Sequence, residues 1–437
     1  MIASERAGEP ADAPADLVLR NAVVYTVDAA RSWAQAIAVK DGRLAYVGND
    51  GGVSPYVGPA TKVVDLGGRL VLPVFVDAHI HPISGGIELG LCSLNDLPDA
   101  QAMLEKVRAC DAAKPGSGWL QGGGWSLPAF PGGAPTRQAL DAVVKGRPVY
   151  LSAADGHSAW VNSKALALAG ITRRTKDPKN GHIDRDPAGE PTGTLREAAT
   201  DLVARLLPVP TLEDRIAGLQ RALALAHRSG LTAFQEANAG GDVEAGGGRV
   251  TSAGARATLD AYREAERRGL LTARVNVSLG TDPGRGPEQV DDLVSLRREF
   301  ATDLVRARAV KIFADGVIEA HTAAMLEPYV DKPGDRGEPR WTEESLTAMV
   351  KRLTREDFNA HVHAIGDRAV RMTLDAIEAA RSEEGTRRPR HQIAHLEVIQ
   401  PQDARRFRDL GVIANFQPLW AYADDYIRDL TWPPLGP

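Results

Sequence analysis

Leu72-Pro73-Val74-Phe75-Val76-Asp77-Ala78-His79-Ile80-His81-Pro82 reads as an apolar strand ending in a His-x-His pair. Side chains two apart on a strand share a face, so His79 and His81 point to one side. If the strand lines a closed parallel barrel, both imidazoles emerge at its C-terminal mouth, where such barrels keep their chemistry. Neutral imidazole is the commonest metal ligand. A bare His-x-His is equally compatible with two histidines that only satisfy hydrogen bonds, so the rest of the chain has to decide.

Downstream the pattern becomes regular. Helical periodicity over 212–228, 252–268, 288–300, 343–355, 367–381 and 402–410 alternates with strand signals over 231–235, 273–279, 307–313, 358–363, 391–395 and 412–416. This alternation predicts a parallel sheet with helical crossovers. Counted from Val74 it gives seven barrel strands, where a closed barrel of this class needs eight. Upstream, residues 16–71 are β-rich and punctuated by Asp41-Gly42 and Gly67-Gly68, which predicts a small antiparallel sheet, sandwich-like, ahead of the barrel at 72–437. Residues 1–15 lack an apolar run and read as a flexible tail. Residues 94–207 form a long insertion after the first barrel strand, placed to cover the mouth as a lid or substrate pocket.

Composition sets further bounds. The 437 residues are 43% hydrophobic and 25% charged, with net charge −5 and no basic block, so neither nucleic acid nor membrane is an expected partner. A small-molecule substrate is. Cys92 and Cys110 are too few for a disulfide framework and read as buried or bystander thiols of a reducing compartment, the cytoplasm.

Lys311, His363 and His395 fall at the ends of the fourth, fifth and sixth barrel strands, beside the His79 and His81 of the first. Singly, each reads as a surface lysine or a satisfied core histidine. Together they mark one position in a barrel. A buried lysine among histidines is costly as an ammonium, but a lysine carboxylated by CO2 becomes an anionic ligand able to bridge two cations.

DAHIHP, VKIFADG, HAIGDRA and QIAH, in this order and spacing, closely resemble the amidohydrolase superfamily. GGGWSLPAFPGGAPTRQALD, LSAADGHSAWVNSKAL, GEPTGTLREAA and GVIEAHTAAMLEPY narrow the resemblance to the YtcJ-like group that includes N-substituted formamide deformylases. The resemblance implies a (β/α)8 TIM-type barrel flanked by a small β-sandwich. It also implies a divalent metal, usually zinc, as one or two ions on His79, His81, Lys311, His363 and His395, and Lys311 is the candidate for carboxylation. The implied reaction is hydrolysis of a C–N amide bond of N-acyl or N-formyl type by metal-activated water. Deamination, lactone hydrolysis, or metal binding without catalysis are the alternatives. Trp125, His157 and His321 sit in the family-like stretches as candidate substrate contacts; a loop-packing aromatic and ordinary hydrogen-bonded histidines are the competing readings. His361, one alternation before His363, reads as a supporting or packing residue, and Asp77 as an orienter of a ligand imidazole or a strand-end hydrogen bond.

Two departures stand out. Val74 occupies a position where the family pattern has glycine, which predicts local strain or repacking. The Gly-Ser-Asp motif of the eighth strand, whose Asp ligates metal and shuttles the proton, has no match after Phe416, and Asp424 and Asp425 do not replace it. TWPPLGP resembles an internal family segment cut short. The expectation is therefore a barrel truncated before strand eight, with reduced turnover. Glu236, Asp315 and Asp367 are the remaining strand-end acids. Two unpaired edges would favour association with another chain as a homo-oligomer.

Overall fold

Asp41 and Gly42 both adopt positive φ, 47° and 69°, linking the antiparallel strands Ala36–Lys40 and Arg43–Gly48 in the two-residue turn their sequence calls for. The computed structural model describes residues 14–240, 252–383 and 389–436. Two compact units emerge, 1–75 and 76–437. The first unit differs from the antiparallel sheet expected. It holds a four-stranded and a three-stranded sheet, and both are mixed. Leu17–Arg20 pairs parallel with Lys62–Asp65, and Val23–Tyr25 parallel with Leu70–Val71, because the chain crosses over through the turn at 51–56 before returning. Most of the expected tail 1–15 lies outside the described residues. Ala15 belongs to the core of the first sheet, where it packs with Val18, Ala36, Ala38 and Val53.

The second unit is built on seven strands in chain order: β1 (Phe75–Ile80), β2 (Leu231–Ala239), β3 (Arg274–Gly280), β4 (Val305–Phe313), β5 (Asn359–Ala364), β6 (Gln392–His395) and β7 (Ile413–Asn415). The ladders from β2 to β7 are parallel. Crossover helices separate them: α1 (Pro82–Leu89) and, past the insertion's helix α2 (Ala100–Ala113), α3 (Leu212–Arg228), then α4 (Ser252–Arg267), α5 (Val290–Glu299), α6 (Glu343–Arg355), α7 (Asp367–Glu383) and α8 (Pro401–Asp409). This is the TIM-type architecture, with seven barrel strands among the described residues.

Sequence and packing agree along these helices. Thr211 and Asp214 form a reciprocal capping box that starts α3, and Thr342 caps α6. Their apolar faces meet the sheet in one core that includes Phe234, Tyr262, Leu346, Met349, Phe358 and Val362. Helix α1, which begins directly after His81, crosses α3 so closely that a Cβ on Gly86 would overlap the Gly218 carbonyl. Glycine is needed there for the backbones to meet.

Inside the sheet a ring of side-chain amides replaces apolar filling. Gln235 Nε2 donates to the Ala78 carbonyl at 3.1 Å, and its Oε1 accepts from Asn276 Nδ2 at 2.8 Å and Gln392 Nε2 at 3.1 Å. Asn415 Nδ2 donates to Gln392 Oε1 at 3.0 Å and to the same Ala78 carbonyl at 3.1 Å. One carbonyl of β1 thus receives an amide from β2 and another from β7. Side chains bring the first and last strands within hydrogen-bonding reach.

The insertion folds around its own six-stranded sheet, in the order Gly181–Arg185, Pro191–Glu197, Ser158–Val161, Val149–Ala153, Leu120–Trp125 and Cys92–Ser93. The reading of Cys92 and Cys110 as separate thiols is corrected: they form a disulfide that ties the edge strand to α2, with Cα atoms 5.8 Å apart. Spacing in the sequence did not show that the helix returns over the strand. Val74 shows no positive φ and is 58% exposed, so the strain expected of it is absent: an exposed side chain needs no room made for it. No helix among the described residues is long and apolar enough to cross a membrane.

Candidate active site

The ends of β1, β4, β5 and β6 bring His79, His81, Lys311, His363 and His395 to the wall of one cavity of about 210 Å3. Ring centroids lie 4.4 Å apart for His363 and His395, 4.8 Å for His79 and His395, and 5.5 Å for His79 and His81. Lys311 is 1% exposed, its Nζ 4.7 Å from the centroid of the Phe313 ring. His395 and Leu396 hold φ of 82° and 61°, a left-handed turn that costs non-glycine residues energy and swings the imidazole toward the cavity.

Each buried imidazole is set by a partner. His363 Nε2 donates to the Gly316 carbonyl at 3.0 Å, which leaves Nδ1 with its lone pair. His395 Nδ1 meets Gln417 Oε1 at 3.2 Å, which frees Nε2. Gln235 donates to His361 Nδ1, so His361 Nε2 carries the hydrogen that it presents to His79 Nδ1 at 3.1 Å. His361 thus acts as a support to His79, the role read for it from the alternation. The bonds donated by His363 and His395 are of the kind that fix tautomer and ring orientation in metal-ligating histidines, whereas His79 accepts at Nδ1.

Electrostatics favour uncharged donors. Burial, followed by the Lys311 charge, holds His79 and His363 well below the usual histidine range; burial and then His363 do the same for His395. Burial pushes the Lys311 amine down to about 7, against the opposing pull of Glu236. Neutral imidazoles and a removable ammonium proton are the donor chemistry a borderline divalent cation takes. The donor set fits such an ion. Among the described residues no group of three or more His, Cys, Asp or Glu forms a ready-made metal cage.

The sequence pattern of the Amidohydrolase family matches residues 62–435. The chain belongs to this family. It is 31% identical over 414 residues to N-substituted formamide deformylase of Arthrobacter pascens, covering 92% of this amidohydrolase and 72% of that protein. Protein LONG AFTER FAR-RED 3 of Arabidopsis thaliana is 30% identical over 413 residues, covering 94% and 69%. A solved metal-dependent hydrolase of Pyrococcus furiosus superposes with a TM-score of 0.68 at 26% identity, covering 94% and 79%. This amidohydrolase is accordingly a hydrolase.

Of the three expected substrate contacts, only His157 lines the cavity. It comes from the insertion, and its ring lies 5.7 Å from that of His363. Trp125 is fully buried in the insertion's own core, packed against Phe130 and Trp160, with Nε1 donating to the Leu151 carbonyl. A strand residue facing that core cannot reach the barrel mouth. His321 does not line the cavity; it pairs with Asp331 at 2.9 Å and meets Tyr329 edge-on.

The strand-end acids divide by partner. Glu236 stands 3.6 Å from His81 Nδ1 and accepts from the Tyr262 hydroxyl at 2.9 Å. Asp315 accepts the backbone N–H groups of Ala324, Ile365 and Gly366, yet burial outweighs these bonds and pushes it up to about 7. Asp367 is spent on Leu326 N and Gln400. Asp77 accepts from the backbone of His79 and does not orient an imidazole. Asp424 accepts from Ile427 N and Asp425 pairs with Arg428, the solvated roles read for both.

Sequence reasoning missed the upper wall: Asp155, Glu319, Glu397, Gln417, Trp420 and Tyr426. Asp155 and Glu397 each lie two residues from a histidine that had been singled out, His157 and His395, the one signal that could have found them. It also missed Glu197. This fully buried carboxylate meets His157 Nδ1 at 3.2 Å, Arg340 Nη2 at 2.7 Å and Thr322 Oγ1 at 3.0 Å. Burial would raise Glu197, but His157, Arg340 and these hydrogen bonds bring it down to about 2; burial would lower His157, but the charge and hydrogen bond of Glu197 together with the Asp155 charge raise it.

Proposed function

We propose that this amidohydrolase hydrolyses the C–N bond of a small N-acyl or N-formyl substrate with the aid of a divalent metal, zinc as the leading candidate. The convergence of His79, His81, Lys311, His363 and His395 on one cavity carries this assignment. The similarity to a formamide deformylase supports it. When bound, the metal supplies Lewis acidity toward the carbonyl oxygen and lowers the pKa of water from about 15.7 to about 7.

The chain's own residues do the rest. His363 Nδ1 and His395 Nε2 offer lone pairs because their other nitrogens are already engaged. Lys311, which burial leaves easily deprotonated, is the residue able to take up CO2 and become a carboxylate donor. Phe313, Trp420 and Tyr426 give the cavity apolar walls suited to an acyl or amine substituent, and His157 supplies a polar contact among them.

The test is a panel of N-formyl and N-acetyl amines, lactones and aminated bases, assayed on zinc-loaded and chelator-treated protein with metal content measured in parallel. Zinc-dependent turnover of the amides is expected. Turnover confined to lactones or aminated bases, or amide hydrolysis that survives complete metal removal, would refute the assignment.

A further inference from the structure

His157 enters the cavity from the insertion, while the metal-ligand candidates belong to the barrel. One buried carboxylate ties His157 to barrel loops. Glu197 ends the insertion strand Pro191–Glu197 with φ of 50°, a left-handed conformation unfavourable for a residue with a Cβ. That turn aims its side chain at partners from three separate stretches of chain: His157 from the loop before Ser158–Val161, Thr322 from the loop after β4, and Arg340 from the segment before α6.

The clamp also reaches His363. Thr322 Oγ1 donates to Glu197, and the Thr322 carbonyl accepts from Gly316 N at 3.0 Å. The Gly316 carbonyl is the acceptor that fixes His363. A Cβ on Gly316 would collide with Thr322 Oγ1 and crowd Glu197, so glycine is needed for this approach. One carboxylate therefore stands behind two imidazoles of the cavity, directly behind His157 and through Thr322 and Gly316 behind His363.

His157 uses Nδ1 on Glu197, and its Nε2 meets no protein partner among the described residues. That nitrogen is the polar atom left for a ligand. We propose that Glu197, clamped by Arg340 and Thr322, is the positioning residue of this active site, holding His157 through Nδ1 so that Nε2 orients the scissile group of the substrate. The assignment rests on the proposed C–N hydrolysis for its catalytic part, and on hydrogen bonding alone for its structural part.

Two readouts separate these parts. In metal-free protein, a His157 ring N–H bonded to a carboxylate gives a protected, far-downfield proton resonance, identified by its loss in His157→Gln. Glu197→Gln keeps the shape of the side chain but not its charge, and is expected to shift or abolish that resonance. In zinc-loaded protein, Glu197→Gln is expected to lower kcat/KM on the best formamide or amide substrate about 10- to 100-fold, as loss of an orienting partner does. The double variant with His157→Gln should be no slower than the slower single variant, because both act through one imidazole.

An unchanged resonance, or kcat/KM within twofold of the parent, overturns the proposal. If the parent hydrolyses no C–N substrate, the proposed function has failed and the resonance alone decides whether the clamp exists. If Glu197→Gln does not fold, Arg340→Lys and Thr322→Val leave the carboxylate in place while loosening it. They must then shift the same resonance, and its persistence unshifted refutes the clamp.

Discussion

Acidifying the protein should expose one buried histidine remote from the cavity. His391, at the entry to β6, is fully buried. Its Nδ1 accepts the Ala360 backbone N–H at 3.0 Å, so the ring hydrogen sits on Nε2, which meets Thr354 Oγ1 at 3.2 Å while that hydroxyl donates to the Val350 carbonyl. Protonation would have to place a second hydrogen on the nitrogen already receiving one. Burial, and then the nearby Arg381 charge, accordingly hold His391 down at about 4, against an ordinary 6.5. A group whose folded value is depressed gives stability that is present above its unfolded value and lost as pH falls through the folded one, so the window here runs from 6.5 down to about 4. One pH unit corresponds to about 1.4 kcal/mol, which makes the full loss about 3 kcal/mol. Stopping at pH 5, where the unfolded chain is charged and the folded one still mostly neutral, costs about 2 kcal/mol. His79, His363 and His395 are depressed by burial in the same direction, so the quantity to measure is a difference. Urea unfolding of the parent and of His391→Asn, whose Oδ1 can still accept from Ala360, should show the parent losing about 2 kcal/mol more than the variant between pH 7.5 and pH 5.0. Equal losses in the two proteins would show that His391 is not held neutral by this network.

Other outcomes follow from features already described. Under denaturing, non-reducing conditions the protein should show no free thiol, and Cys92→Ser with Cys110→Ser should lower stability by about 3 kcal/mol, the effect of closing a loop of this size; two titratable thiols in unreduced protein would contradict the disulfide. Lys311→Met should raise the thermal midpoint of metal-free protein at pH 7, because it removes a buried amine that burial disfavours charging, and should lower zinc retained after dialysis. A lower midpoint with zinc fully retained would sink both parts of that expectation. Phe358→Ala should cost about 3–5 kcal/mol in urea unfolding, since the ring is fully buried and carries the Arg297 guanidinium 4.0 Å from its centroid; a loss under 1 kcal/mol would mean that the site collapses around the vacancy.

The barrel was legible because its signals are local. Apolar strands of fixed period, capped helices and histidines at strand ends all lie within short windows, and α3 and α6 fall at the bounds their periodicity predicts. The wall of the cavity was not legible, for the opposite reason. Glu197 and Arg340 stand 143 residues apart in the chain, and nothing near either residue marks the other as its partner. Trp125 and His321 misled because a motif records that a residue is constrained, but not which surface it faces. Trp125 is constrained by the insertion's core and His321 by Asp331. The mixed pairing of the first unit escaped for a third reason: turns announce where a chain reverses, but not which strand it lies beside after crossing over.

The shared Ala78 carbonyl gives the barrel an unusual inheritance rule. Gln235 and Asn415 both donate to it, Gln392 links them, and the next residue along β1 is His79. A change at Gln235 or Asn415 strands a buried amide atom of Gln392, and a change at Gln392 strands an amide hydrogen of Asn415, so each single step is disfavoured while a concerted change is not. Among relatives these positions should drift as a block, and the aim of the His79 imidazole should drift with them.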